Sequence, residues 1–210
     1  MNIYLLRHGE TDWNQVGRLQ GHTDIALNDR GRMQMNHAGE ILGTLDLGMD
    51  LILSSPLSRA RESAEIVAKR IGYSREDILV EEMLIECGFG EGEGLTVEER
   101  REKYPDNIFP GMESREKVGQ RARAVLKKIV HTYQDMDNIL LVAHGAILYA
   151  VMEGIADGQF AYIGEAIIRD QGNMYLIRCA PDNLEMARYS QKKNDFEKMD
   201  AYTGSFSLFC

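Results

Sequence analysis

The chain is poor in cysteine, proline and tryptophan, with three, four and one of them among 210 residues. Cys87, Cys179 and Cys210 are odd in number and widely spaced, with no Cys-x-x-Cys pair. That argues against a disulfide framework and a structural zinc site, and is the usage of a reducing compartment. Long apolar runs are missing too. No stretch approaches the roughly 20 residues that span a bilayer, and the N-terminus lacks the basic and apolar regions of a secretory signal. A cytoplasmic location is expected. There is no basic excess either, since 24 Lys and Arg stand against 33 Asp and Glu for a net charge of −9. Such a field repels polyanions, so neither nucleic acid nor a membrane is an expected partner, and an anionic ligand needs a local cationic pocket.

What the chain does have is a regular alternation of apolar runs and amphipathic stretches. Asn2 to Leu6 and Ile139 to Ala143 are bounded apolar runs of strand length, and Asp50 to Leu53 is a third. Asn28 caps a helix expected from Asp29 to Thr44, and Pro56 opens a second that ends before Gly72. Ile78 to Met83 reads as an edge strand, Thr96 to Glu99 as a capping box, and Ser114 as the start of a long helix. Met174 to Cys179 and Leu184 to Tyr189 read as a hairpin. This pattern predicts an α/β fold, a three-layer α/β/α sandwich with a mainly parallel central sheet. One domain is expected over 1–190. Residues 191–210 mix charge with Phe196, Tyr202, Phe206 and Phe209 and read as a tail without an assigned role.

Two of the apolar runs end alike. Leu6-Arg7-His8-Gly9-Glu10-Thr11 breaks the first with a cation, an imidazole and a flexible residue, and Ala143-His144-Gly145 ends the later one. Ligands of open α/β sheets bind at such strand ends. An imidazole there can be a nucleophile, a base or a metal ligand, and Arg7 argues against the metal because it would repel a divalent cation. Arg7 suits an anion, most simply phosphate. One Arg-His-Gly is weak evidence alone, but two strand-end His-Gly pairs in one small domain are hard to explain by packing. A zinc site of His8, His144 and an Asp is the disfavoured alternative.

Five blocks then carry a resemblance. They are Leu6 to Thr11 with Trp13-Asn14; Gly21-His22-Thr23-Asp24 with Leu27 and Gly31; Ser54-Ser55-Pro56-Leu57-Ser58-Arg59-Ala60; Leu84-Ile85-Glu86 with Phe89-Gly90; and Ala143-His144-Gly145. In order and in kind they resemble the histidine phosphatase superfamily, in its phosphoglycerate-mutase-like branch. The resemblance implies a phosphorylated His8, a second arginine at Arg59 beside Arg7, an acid at Glu86 and a second histidine at His144. It implies substrate contacts at Asn14, Gln20, Gly21 and Gly145, with no cofactor and no metal. On the residues alone Asn14 is as readily a turn residue, Arg61 reads as a solvated helix position, and Glu82 is the runner-up to Glu86. His22, His37 and His131 have no comparable setting, though His22 could line the pocket mouth.

The chemistry this implies is hydrolysis of a phosphomonoester. His8 attacks phosphorus through one neutral ring nitrogen while a carbonyl holds the other N–H, and partial burial raises the Glu86 carboxyl so that it can protonate the leaving oxygen. The expected partner is a small phosphorylated metabolite, with a homodimer left open. A phosphoglycerate mutase and a catalytically silent phosphate-binding protein are the alternatives. The short segment from Glu86 to His144 favours the phosphatase, because the mutases of this family usually carry a longer insertion there. Pro110-Gly111-Met112-Glu113-Ser114 resembles a Pro-Gly-Gly-Glu-Ser element of family phosphatases, and Gly92 stands where many members have tryptophan. That last departure leaves the packing of the acid-bearing loop to be explained.

Overall fold

The computed structural model describes residues 1–155, 174–180, 183–190 and 192–198. The segment Ile155 to Gln171 lies almost wholly outside the described residues, as does most of the 191–210 tail.

Among the described residues seven strands form one sheet: β1 Asn2–Arg7, β2 Leu51–Ser54, β3 Leu79–Val80, β4 Asn138–Ala143, β5 Met174–Ala180, β6 Asn183–Ser190 and β7 Asp195–Lys198. Their order is β3-β2-β4-β1-β5-β6-β7. The four strands from β3 to β1 run parallel, and β5, β6 and β7 extend the sheet antiparallel from β1. Parallel pairing therefore holds where the site-bearing strands lie, while the hairpin side is antiparallel. β7 falls in the stretch read from sequence as a tail and pairs with β6.

The helices are α1 Asp12–Gln15, α2 Asp29–Thr44, α3 Ser58–Ile71, α4 Val97–Lys103, α5 Arg115–Thr132 and α6 Gly145–Ile155. Alternate residues of the central strands divide between two cores, as strand geometry requires. Ile3, Leu5, Leu51, Leu53, Ile139 and Leu141 face Val118, Val125 and Ile129 of α5 with Ile147 and Val151 of α6. Tyr4, Leu6, Ile52, Leu140 and Val142 face Met35 and Leu42 of α2 with Ala64 and Val67 of α3. Helices thus cover both faces, giving the three layers.

Local signals set the helix ends. Asn28 Oδ1 accepts the Gly31 N–H at 2.8 Å, Thr96 closes a capping box with Glu99, and Gly72 ends α3 in the left-handed conformation with φ of 72°. The expected strand from Ile78 to Met83 is cut to Leu79–Val80, because a 3-10 turn over Glu82–Leu84 begins at once. That turn leads the chain toward the sheet's carboxyl edge and Glu86.

Candidate active site

β1, β2 and β4 end together. Arg7 lies opposite Ala143 and Ser54 opposite Val142, and the ladder runs on as His8 N–H donates to Ala143 O and Ser55 N–H to Val142 O, both at 3.0 Å. One sheet edge therefore presents Arg7-His8, Ser55 and His144 side by side, at the carboxyl ends where α/β sheets bind ligands. The His8 and His144 rings lie 5.0 Å apart between centroids, tilted by 59°.

His8 is 2% exposed, and its Nδ1 lies 2.6 Å from the Gly9 carbonyl oxygen. A carbonyl only accepts, so Nδ1 carries the proton and Nε2 is left with its lone pair. Burial, with Arg59 and Arg7 beside it, holds the imidazole well below its usual pKa, and the Gly9 bond only partly opposes this. The ring is neutral at pH 7. His144 is fully buried and likewise lowered, by burial first and then by Arg59, His8, Arg7 and Arg121. Its Nε2 meets Ser55 Oγ at 2.6 Å, while its buried Nδ1 has no hydrogen-bond partner among the described residues. Ser55 Oγ already accepts from Leu57 N–H at 3.4 Å, so its own proton is available to His144 Nε2. In that tautomer Nδ1–H is a donor for an anion.

Arg59, from the first turn of α3, is 1% exposed. Its Nη1 donates to Thr23 O at 3.0 Å and its Nη2 to Gly21 O at 2.8 Å, and its buried Nε lacks a partner among the described residues. Burial lowers its pKa, yet a guanidinium stays charged at neutral pH. The carbonyls it holds belong to a segment gripped from the other side by Glu93, which accepts from His22 N–H, Thr23 N–H, Thr23 hydroxyl and Phe89 N–H. Burial works against the Glu93 anion, but these hydrogen bonds leave its pKa below the ordinary value. Gly145 opens α6 against Arg7, since a Cβ there would stand 3.5 Å from the guanidinium carbon.

Glu86 is 9% exposed and lies against the start of α6, where its carboxylate accepts from Ile147 N–H at 3.2 Å, Ala146 N–H at 3.3 Å and Cys87 N–H at 2.9 Å. It thus sits beside the backbone that carries His144. Glu82, the runner-up, is exposed in the 3-10 turn. Asn14 closes the capping box of α1, its Oδ1 accepting the Thr11 N–H at 3.2 Å, which is the turn role; its amide nitrogen remains able to donate. Gln20 is buried and held by the Thr11 hydroxyl at 2.9 Å, and Gly21 presents its carbonyl to Arg59. His22 donates through Nε2 to Glu86 O at 2.9 Å, while His37, Arg61 and His131 are exposed. The Cys87 thiol, next to Glu86, is pushed up to about 12 by burial and by Glu86 and Glu113, so it is no nucleophile at pH 7.

Comparison with known proteins shows the family and supports the fold. The family model of the histidine phosphatase superfamily, branch 1, matches residues 3–192. The chain belongs to that superfamily. It is 40% identical over 194 residues to the uncharacterized phosphatase PhoE of Bacillus subtilis, covering 92% of this chain and 93% of that one. An acid phosphatase of Mycobacterium tuberculosis is 34% identical over 155 residues, 71% of this chain and 73% of its own length. Among solved structures, a mycobacterial glucosyl-3-phosphoglycerate phosphatase superposes with a TM-score of 0.74 at 26% identity, over 84% of this chain and 89% of that one.

Within the histidine phosphatase pattern, the departure at Gly92 has a physical answer. Gly92 is buried, and a Cβ there would meet the Phe109 ring at 2.6 Å. Phe109 is 5% exposed, with Tyr104 edge-on at 5.3 Å and the Tyr104 hydroxyl donating to Glu91 at 2.7 Å. An aromatic ring from the Pro110 segment fills the space over this loop, so the loop is packed although it lacks its own tryptophan. Sequence reasoning missed Ser55, Glu93, Glu113 and Arg121. Two of them carried a signal, Ser55 within the block that leads to Arg59 and Glu113 as part of the Pro-Gly-Met-Glu-Ser element.

Proposed function

We propose that this chain hydrolyses small phosphomonoesters without a metal, through a covalent phosphohistidine on His8. The observation that carries the reading is the 2.6 Å contact of His8 Nδ1 with the Gly9 carbonyl, which leaves Nε2 unprotonated while the ring feels the charges of buried Arg59 and half-buried Arg7. In the first step Nε2 bonds to phosphorus as the bond to the ester oxygen breaks, and Glu86 supplies the proton that the alkoxide takes. In the second, water attacks the phosphohistidine, Glu86 accepts a proton from it, and phosphate leaves with His8 neutral again. Arg7, Arg59, His144 Nδ1–H and the Asn14 amide surround the phosphoryl oxygens, and Gln20, Gly21 and Gly145 shape the same pocket. Aimed donors of this kind are worth about 3 kcal/mol each in the transition state.

The substrate class is a small phosphorylated metabolite with a poor alkoxide leaving group, in line with the neighbour described as a glucosyl-3-phosphoglycerate phosphatase. No helix among the described residues is long and apolar enough to cross a membrane. With free thiols at Cys87 and Cys179, the reading includes a cytoplasmic location.

The test is hydrolysis of a phosphomonoester panel in chelator, with phosphohistidine trapped by quenching turnover in alkali. His8→Ala should abolish both label and turnover. Glu86→Gln should slow glycerol phosphate far more than p-nitrophenyl phosphate, whose phenolate hardly needs a proton. Activity lost in chelator and restored by zinc, or undiminished turnover in His8→Ala, would overturn the reading. Isomerisation of 3-phosphoglycerate that depends on a bisphosphoglycerate primer would make the enzyme a mutase.

A further inference from the structure

Glu86 stands in a stretch with little regular structure, between the 3-10 turn Glu82–Leu84 and the glycines Gly88 and Gly90. Such a loop has many conformations to lose, yet its carboxylate must meet one leaving oxygen. A side chain from α5 restricts it. Arg121 Nη1 donates to Met83 O at 2.8 Å and to Ile85 O at 2.5 Å, and its Nη2 donates to Glu86 O at 3.3 Å. Its remaining donors go to one carboxylate, Nη2 to Glu113 Oε2 at 2.8 Å and Nε to Glu113 Oε1 at 3.2 Å. All five guanidinium N–H bonds are thereby used.

Glu113 grips the other side of the loop. Its Oε2 lies 3.4 Å from Gly88 N, and its backbone N–H donates to Gly88 O at 2.7 Å. The ion pair is largely withdrawn from water, with side chains 17% and 20% exposed. A surface pair contributes little, but this one ties the carbonyls of Met83, Ile85 and Glu86 itself to the backbone of Gly88. The Glu86 carbonyl takes a second donor from His22 Nε2 at 2.9 Å.

We propose that Arg121, oriented by Glu113, is a positioning residue that fixes where the Glu86 carboxyl meets the leaving oxygen. The proposal rests on the reading of Glu86 as the acid. A lysine at 121 keeps the charge felt by His144 but cannot fork across Met83, Ile85 and Glu113 together. A displacement of the acid by about 1 Å costs on the order of 100-fold in rate where proton transfer matters.

The experiment compares kcat/KM for glycerol phosphate and p-nitrophenyl phosphate in wild type, Arg121→Lys, Glu113→Gln, Glu86→Gln and the double variant Glu86→Gln/Arg121→Lys. Arg121→Lys and Glu113→Gln should each shift the ratio of the two substrates by roughly 10- to 100-fold against glycerol phosphate. The double variant should lose no more on glycerol phosphate than Glu86→Gln alone, because a group acting through the acid has nothing left to position. Equal losses on both substrates, or losses that multiply in the double variant, would mean a structural role and overturn the proposal while the acid stands. A Glu86→Gln variant that slows both substrates equally would remove the acid assignment itself, and the positioning role with it.

Discussion

Gly31→Ala sets two physical effects against each other. Gly31 lies in the first turn of α2 at negative φ, so alanine meets no backbone strain, and by helix propensity alone it should stabilise by about 1 kcal/mol. The contact across from it says the opposite. A Cβ on Gly31 would stand 2.7 Å from Glu10 N and closer still to Glu10 O, whereas ordinary contact begins at 3.4 Å. Both neighbours are backbone atoms, so no side chain can swing aside. The reciprocal contact is as tight, with a Cβ on Gly9 2.8 Å from the Gly31 Cα. Glycine at position 9 is required by this approach of two backbones and not by a left-handed turn.

Relieving the clash requires the loop Gly9–Glu10 and the start of α2 to part by about 1 Å, and overpacking of this kind costs about 1–3 kcal/mol. Set against the propensity gain, Gly31→Ala should lower stability by about 1 kcal/mol, or Tm by roughly 2–4 °C for a domain of this size. The moving loop also carries the carbonyl that fixes the His8 proton, so kcat/KM should fall by about 100-fold. Calorimetry and steady-state hydrolysis of p-nitrophenyl phosphate read the two effects. A Gly31→Ala protein with a higher Tm and undiminished turnover would refute the close-approach argument.

Two other outcomes are expected. His8 and His144 both have folded pKa values below the unfolded 6.5, so the unfolded chain binds more protons as pH falls through that value, and stability drops with pH there by up to about 1.4 kcal/mol per pH unit for each histidine; urea unfolding at several pH values should show a shallower slope for His8→Asn, and an unchanged slope would contradict the assignment. Gly92→Trp should cost about 1–3 kcal/mol by colliding with Phe109, and pairing it with Phe109→Ala should recover part of both losses; strictly additive losses in thermal unfolding would show that the two do not share one space.

Much of the site was legible because its signals are local. The apolar runs that become β1 and β4, each broken by His-Gly, need only strand periodicity to read, and the caps at Asn28, Thr96 and Ser114 announce the helices they begin. The remainder depends on contacts between distant residues. Ile78 to Met83 has the composition of a strand, but only Leu79 and Val80 pair with β2, because the chain must turn to carry Glu86 beneath α6. Glu86 and Glu82 are alike in composition and are separated only by burial against that helix. Arg121 reads in sequence as one more charge on a polar helix, and nothing local reveals that three carbonyls 35 to 38 residues earlier consume its donors.

On the proposed reading, the arrangement also accounts for how a chain of net charge −9 would hold a phosphate dianion. The acidic groups nearest the site do not face it as free charges. Glu93 is spent on backbone N–H groups of residues 22, 23 and 89, Asp24 on the N–H and hydroxyl of Ser58, and Glu113 on Arg121. Each of these bonds fixes a backbone segment that Arg59 or Glu86 depends on. Arg59 in turn gives two donors to carbonyls of the same segment and keeps its buried Nε without a partner among the described residues. Electrostatic stabilisation is most effective when donors are oriented before charge develops, since little reorganisation then opposes the reaction. The acidic excess of the chain therefore serves the cationic pocket as scaffold: carboxylates hold the loops, and the loops hold the arginine and the acid in place.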